Sequence, residues 1–210
     1  MRHHYFLAAG VCLFSALTTA APPKEGREYD RLNNKISGAP AVVEFFSFYC
    51  SPCMKFEEVY GISDAVDRKL PAGIKTEKYH ISQLGPLGHA LTRAWSVAVL
   101  LGVENKVRGP LFEASMIKHT LNNEADIRQI FLSAGISGEE YDGTGRSFAA
   151  SALTEKQERM ARQFAVTATP VVYVNGQYRV SPQGFRSVSV ADFSASFAET
   201  VRFLAQQTET

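Results

Sequence analysis

Apolar positions along the chain change their spacing twice. Residues 41–47, Ala41-Val42-Val43-Glu44-Phe45-Phe46-Ser47, are almost continuously apolar, the pattern of a strand buried on both faces. Gly38-Ala39-Pro40 before it reads as a turn, and Tyr29–Leu32 as a short edge strand. A helix is expected to open at Cys50, with Pro52 accommodated in its first turn, where a missing N–H has no intrahelical partner to lose. That helix should break near Gly61, resume over Ser63–Leu70 and stop at Pro71 and Gly73, with Ile74–His80 as the next strand. A β-α-β order favours a parallel pair with a crossover helix.

From residue 86 to 151 the spacing turns helical. Leu87, Leu91, Trp95, Ala98 and Leu101 recur every three or four residues, one apolar face of a helix. Asn123-Glu124-Ala125-Asp126 looks like the start of another, running to Ala134, while Pro110, Gly135, Gly138 and Gly143 punctuate the segment. A helix near Ala152–Ala165 leads out of it. Alternation then returns: Pro170-Val171-Val172-Tyr173-Val174 and Gln177-Tyr178-Arg179-Val180 flank Asn175-Gly176, a strong hairpin signal. A closing helix over Val190–Gln206 carries Phe193, Phe197, Val201 and Leu204 on one face.

The amino terminus changes the picture of where the chain works. Arg2, His3 and His4 precede an apolar run from Tyr5 to Leu17, and Thr18-Thr19-Ala20-Ala21 supplies small residues for cleavage after Ala20 or Ala21. Residues 1–21 therefore read as a signal peptide, which implies export from the cytoplasm. The competing readings are an uncleaved anchor and a lipoprotein. The run is short for a span, which needs about 20 apolar residues, and no small-residue box precedes Cys12. Charge adds little: 22 basic residues stand against 21 acidic ones, which argues against a nucleic-acid surface.

With Cys12 removed, only Cys50 and Cys53 remain of three cysteines. A structural zinc site needs four ligands; there is no second Cys-x-x-Cys, and His80, His89 and His119 lack a His-x(3–5)-His spacing. No metal and no cofactor is called for. An inert local disulfide is the bland alternative, though so short a loop constrains the unfolded chain little. Two thiols at a strand-to-helix junction are instead placed for exchange with other disulfides.

A β-α-β unit with thiols at its first helix, followed by a proline, a hairpin and a closing helix, is the thioredoxin-like arrangement. Particular stretches carry the likeness further. They are Glu44-Phe45-Phe46-Ser47-Phe48, Phe56-Glu57-Glu58-Val59, Lys78-Tyr79-His80, Ala94-Trp95-Ser96-Val97-Ala98, Leu100-Leu101-Gly102-Val103-Glu104, Gly138-Glu139-Glu140-Tyr141-Asp142, Val174-Asn175-Gly176 and Pro182-Gln183-Gly184. In this order, from Glu25 to Gln206, the chain resembles the periplasmic disulfide oxidoreductases of the DsbA family. The resemblance implies an α/β fold in which residues 22–84 and 152–210 form a thioredoxin-like domain and 85–151 an inserted helical domain. It implies that Cys50 is the nucleophile, Cys53 the resolving thiol and Cys50–Cys53 the redox disulfide, and that Pro170 follows a cis bond facing them. The Thr169 backbone would pair with an extended client, beside Ser51, Pro52 and Tyr49. Glu44 and Lys78 would form a buried acid–base pair below the disulfide, with Glu57 nearby. From the sequence alone Glu44 also fits a solvated strand face, and Lys78 a surface charge at a strand end.

The implied activity is donation of the disulfide to unfolded exported proteins in the periplasm. Reoxidation by a DsbB-like membrane quinone reductase and a monomeric state are implied with it. One departure matters. Typical members carry proline then histidine between the cysteines; here Ser51 is followed by Pro52, so no imidazole supports a Cys50 thiolate. Two alternatives stay open: a periplasmic reductase or isomerase, and a chaperone that uses the client groove alone. Trp95 is expected in the core, and His80 and His89 in structural or surface roles.

Overall fold

The computed structural model describes residues 22–207. The expected signal peptide, its cleavage point and Cys12 lie outside the described residues. Among those described, no helix is long and apolar enough to cross a membrane.

A five-stranded sheet runs in the order β1-β5-β4-β2-β3. β1 is Tyr29–Arg31, β2 Val42–Phe46, β3 Thr76–His80, β4 Val171–Val174 and β5 Tyr178–Val180. Every residue of β2 is buried, as its apolar run, interrupted only by Glu44, requires of a central strand. β2 pairs parallel with β3, in the register Glu44 opposite Lys78, and antiparallel with β4. The β4–β5 hairpin turns at Asn175 and Gly176, with φ of 53° and 64°, the left-handed conformations that make Asn-Gly suitable there. Its tip is tied down: Asn175 N–H donates to Ala41 O at 2.8 Å, and Ile36 N–H to Gly176 O at 2.8 Å.

Alternation along β2 sorts the core. Val43 and Phe45 face one side, with Tyr79 of β3, Met160 of α7 (Phe148–Gln163) and Phe164 just after it. Val42 faces the other, with Ile62 and Val66 of α2 (Ile62–Lys69) and Phe197, Val201 and Leu204 of α8 (Val190–Ala205). Helices α3 (Gly88–Leu101), α4 (Glu104–Phe112), α5 (Glu124–Ser133) and α6 (Gly138–Gly145) follow β3, and α7 (Phe148–Gln163) returns to the sheet. Their apolar faces are not a separate core: Leu91, Trp95, Phe112 and Phe131 share one cluster with Phe46, Phe48, Cys50 and Cys53.

Several boundaries differ from the sequence reading. α7 begins at Phe148 rather than near residue 152 because Ser147 caps it, its Oγ accepting from Ala150 N–H. Gly138 and Gly143 lie within α6 and Pro110 within α4, so they do not interrupt; Ser137 and Glu140 form a reciprocal capping box that offsets the weak helical preference of the glycines. The helix after the thiols does break at Gly61, in the left-handed conformation at φ 58°. Before that break it widens into a π-helical turn over Lys55–Val59, closed by Tyr60 N–H to Lys55 O at 2.8 Å.

Candidate active site

The approach to the thiols is fixed before they begin. After β2 the chain turns, with Cys50 N–H donating to Ser47 O at 3.1 Å. Phe48, within that turn, is held on both sides: its N–H donates to His80 Nε2 at 3.1 Å, and its carbonyl accepts from Ser115 Oγ at 2.6 Å. His80 is fully buried, its ring stacked on Phe48 with centroids 5.2 Å apart. Since Nε2 accepts, Nδ1 carries the proton and faces Thr92 Oγ1 at 2.8 Å. Burial pushes the imidazole down to about 3, so it stays neutral.

Cys50 caps α1 (Ser51–Met54), and Pro52 sits in the first turn as expected. Cys50 and Cys53 are joined, with Cα atoms 5.2 Å apart. Cys53 is fully enclosed, whereas Cys50 is 6% exposed; the outer sulfur is the one a second protein can reach. Cys53 N–H donates to Cys50 Sγ at 3.1 Å. That donor and the helix terminus both favour negative charge on Cys50 sulfur. Across from it lies the Thr169 carbonyl, 3.4 Å from Cys50 Sγ, ahead of the cis Thr169–Pro170 bond.

A groove opens beside the sulfur. Ser51, Pro52, Lys55, Phe56, Tyr60, Pro170, Pro182, Gln183 and Phe193 line it, and Lys55 is the sole charge among them. Tyr49 is not in this lining. It is half-buried on the other side, against Gly85, where an added Cβ would come within 2.1 Å of the tyrosine ring.

On the sheet face that carries Val42 lies a polar cluster. Glu44 is buried, 1% exposed. Ser63 Oγ lies 2.6 Å from Glu44 Oε2 and 2.5 Å from Glu57 Oε1. Glu44 and Lys78, expected as a buried acid–base pair with Glu57 nearby, both lie in this cluster, and Lys78 forms its ion pair with Glu57, Nζ 2.5 Å from Oε2. The π-helical turn buries Glu57 over β3, and Arg108 Nη1 of α4 reaches the same oxygen at 3.1 Å. Burial, followed by the Glu57 charge, pushes Glu44 up to about 8 against the pull of Lys78. Burial also raises Glu57, but Lys78 and Arg108 outweigh it and hold that carboxyl below the usual range.

The sequence reading therefore named Cys50, Cys53, Pro170, Thr169, Glu44, Glu57 and Lys78, all of which meet around the disulfide or in the cluster behind it. It did not name Ser63, Arg108 or Ser115, and it gave His80 only a structural or surface role, without the partner that the structure supplies. Nothing in their local sequence marks them, because each acts on a residue at least six positions away.

Residues 41–196 match the model of the DSBA-like thioredoxin domain. The thiol:disulfide interchange protein DsbA of Salmonella typhimurium is 45% identical over 201 residues, covering 96% of this chain and 96% of its own. That of Escherichia coli K12 is 44% identical over 202 residues, with the same coverage.

The chain belongs to the DsbA family. It is a thiol:disulfide oxidoreductase of that family, with Ser51-Pro52 between its cysteines. A DsbA structure from Proteus mirabilis, in complex with a non-covalently bound peptide PWATCDS, superposes with a TM-score of 0.86 at 35% identity, covering 89% of this chain and 100% of that one. The DsbA fold thus accounts for both layers seen here, the sheet and the helices α3–α6.

Proposed function

We propose that this protein donates its Cys50–Cys53 disulfide to cysteine-containing proteins exported to the periplasm. A client thiolate attacks Cys50 sulfur, Cys53 leaves, and a mixed disulfide forms. A second client thiolate then attacks the client sulfur; Cys50 leaves as a thiolate, and the client departs with its own disulfide. Two electrons pass from client to enzyme. The observation that carries this reading is the setting of Cys50 Sγ: it takes the Cys53 N–H at 3.1 Å, faces the Thr169 carbonyl, and stands at the lip of an apolar groove. An extended client strand would pair with the Thr169 backbone, whose carbonyl lies 3.4 Å from Cys50 Sγ. Glu44 would exchange the proton of Cys53. Reoxidation would fall to a membrane quinone reductase of the DsbB type acting on a monomer.

The test is oxidation of a reduced dithiol peptide by the purified disulfide form, followed by alkylation and mass. The wild type should oxidise it stoichiometrically and Cys50→Ser should not, while trapping no mixed disulfide. A Cys50→Ser variant that retained full effect on client folding would favour the chaperone reading. Pro52 in the second place between the cysteines is the feature that favours a reductase. Equilibration with glutathione buffers separates the two: a potential near thioredoxin's, about −270 mV, would overturn donation.

A further inference from the structure

We propose that Ser63 and Arg108 are positioning residues of the redox centre: Ser63 bridges Glu44 and Glu57 through one shared proton, and Arg108, reaching over from α4, keeps that proton on Glu44 by holding Glu57 as an anion. This rests on the reading above for its purpose, since the stored proton is the one Cys53 would take up.

The argument is a proton count. A serine hydroxyl has a single hydrogen to donate. Ser63 Oγ lies within hydrogen-bond distance of two carboxyl oxygens, 2.6 Å from Glu44 and 2.5 Å from Glu57. One contact uses the serine hydrogen; the other needs a hydrogen from the carboxyl itself. The surroundings decide which. Glu57 Oε2 has Lys78 Nζ at 2.5 Å and Arg108 Nη1 at 3.1 Å. Among the described residues Glu44 forms no ion pair, and its Oε1 is buried without a hydrogen-bond partner. A bare buried carboxylate oxygen is far costlier than a carbonyl oxygen. Glu44 is therefore the acid: it donates to Ser63 Oγ, and Ser63 donates to Glu57. The charged groups around the pair are Glu58 on the π-helical turn, Asp64 on α2, Lys78 on β3 and Arg108 on α4. Arg108 also holds Glu58, Nε to Oε1 at 2.8 Å, so one guanidinium from α4 fixes two consecutive residues just behind the thiol helix.

When the disulfide is spent, the S–S bond takes two electrons from the client thiolates. Cys50 is left as a thiolate and Cys53 as a thiol, its proton drawn from the Glu44 carboxyl, which becomes a carboxylate.

Infrared difference spectroscopy of the oxidised protein tests the assignment without any redox turnover. A protonated-carboxyl C=O band should be present at pH 7 and vanish in Glu44→Gln. Ser63→Ala should move that band to higher frequency, since the acid loses its acceptor, and Ser63→Thr should restore it. Arg108→Gln should raise the pH at which the band titrates by about one unit, roughly tenfold in proton affinity, and Arg108→Lys should recover most of it. Absence of the band at pH 7, or an Arg108→Gln titration unchanged from wild type, would overturn the inference. If Arg108→Gln does not fold, Ser63→Ala and Arg108→Lys still decide it: a band unmoved by both overturns the inference. A protein with the band intact that cannot oxidise the dithiol peptide sinks the donation reading instead.

Discussion

At Cys50 the acidifying groups are backbone. Cys53 N–H reaches its sulfur at 3.1 Å, and the start of α1 points at it. A neutral donor is worth roughly half a charged one, and neither Ser51 nor Pro52 brings charge. Pro52→His adds an imidazolium-forming ring next to Cys53 in the first turn. The Cys50 pKa, titrated by thiolate absorbance in the reduced protein, should fall by at least about one unit. Each unit stabilises the reduced form by about 1.4 kcal/mol, so the two-electron potential should rise by about 30 mV. An unchanged pKa would show that the backbone donor already sets the limit. The Cys-x-x-Cys spacing is legible in any listing of the residues. Which neighbours acidify the sulfur is not, because a donor is identified only by where it points.

Among the elements, the turn from β2 to α1 depends on groups from two others. Ser115, in a π-helical turn over Glu113–Ile117, donates to Phe48 O, and His80 at the end of β3 accepts from Phe48 N–H. Ser115→Ala leaves that carbonyl buried without its side-chain partner, a loss of about 1–3 kcal/mol, to be read as a lower urea midpoint with an unchanged slope. If the destabilisation is under ~0.5 kcal/mol, the single Ser115 hydrogen goes instead to Leu111 O in its own helix, 2.8 Å from Oγ, and the docking role fails. Amphipathic spacing foretold β2, β3, the hairpin and α8 to within two residues or so, since burial on one or both faces imposes a period. The two π-helical turns carry no period of their own. An i→i+5 turn is rare, and so the turn that buries Glu57 could not be read ahead.

For the molecule as a whole, two buried groups set opposing pH slopes. His80 falls from an ordinary 6.5 to about 3: the unfolded chain binds the extra proton, so stability is full above 6.5 and declines as pH drops toward 3. Glu44 rises from 4.5 to about 8: the folded chain binds the proton, so stability is full below 4.5 and declines as pH rises through about 8. Each slope is about 1.4 kcal/mol per pH unit. Between 4.5 and 6.5 they cancel, giving a plateau with falling flanks on both sides; Glu57 and Glu158, both held low, steepen the acid side. Guanidinium midpoints of the oxidised protein from pH 3 to 8 should trace this shape. Glu44→Gln should flatten the alkaline flank and turn the plateau into a rise with pH, and His80→Gln should make the acid flank shallower and turn the plateau into a fall; a single monotonic slope in the wild type would refute the pair. The sequence by itself determined the strand and helix order, the reactive thiols and the family, because periodicity and a rare spacing are one-dimensional. Only the tertiary structure decided that Glu57 rather than Glu44 takes the Lys78 ion pair, that α4 sends Arg108 to that same carboxylate, and that His80 is a neutral acceptor. Charge, burial and proton position depend on which groups share a few ångströms of space, and no order along the chain specifies that distance.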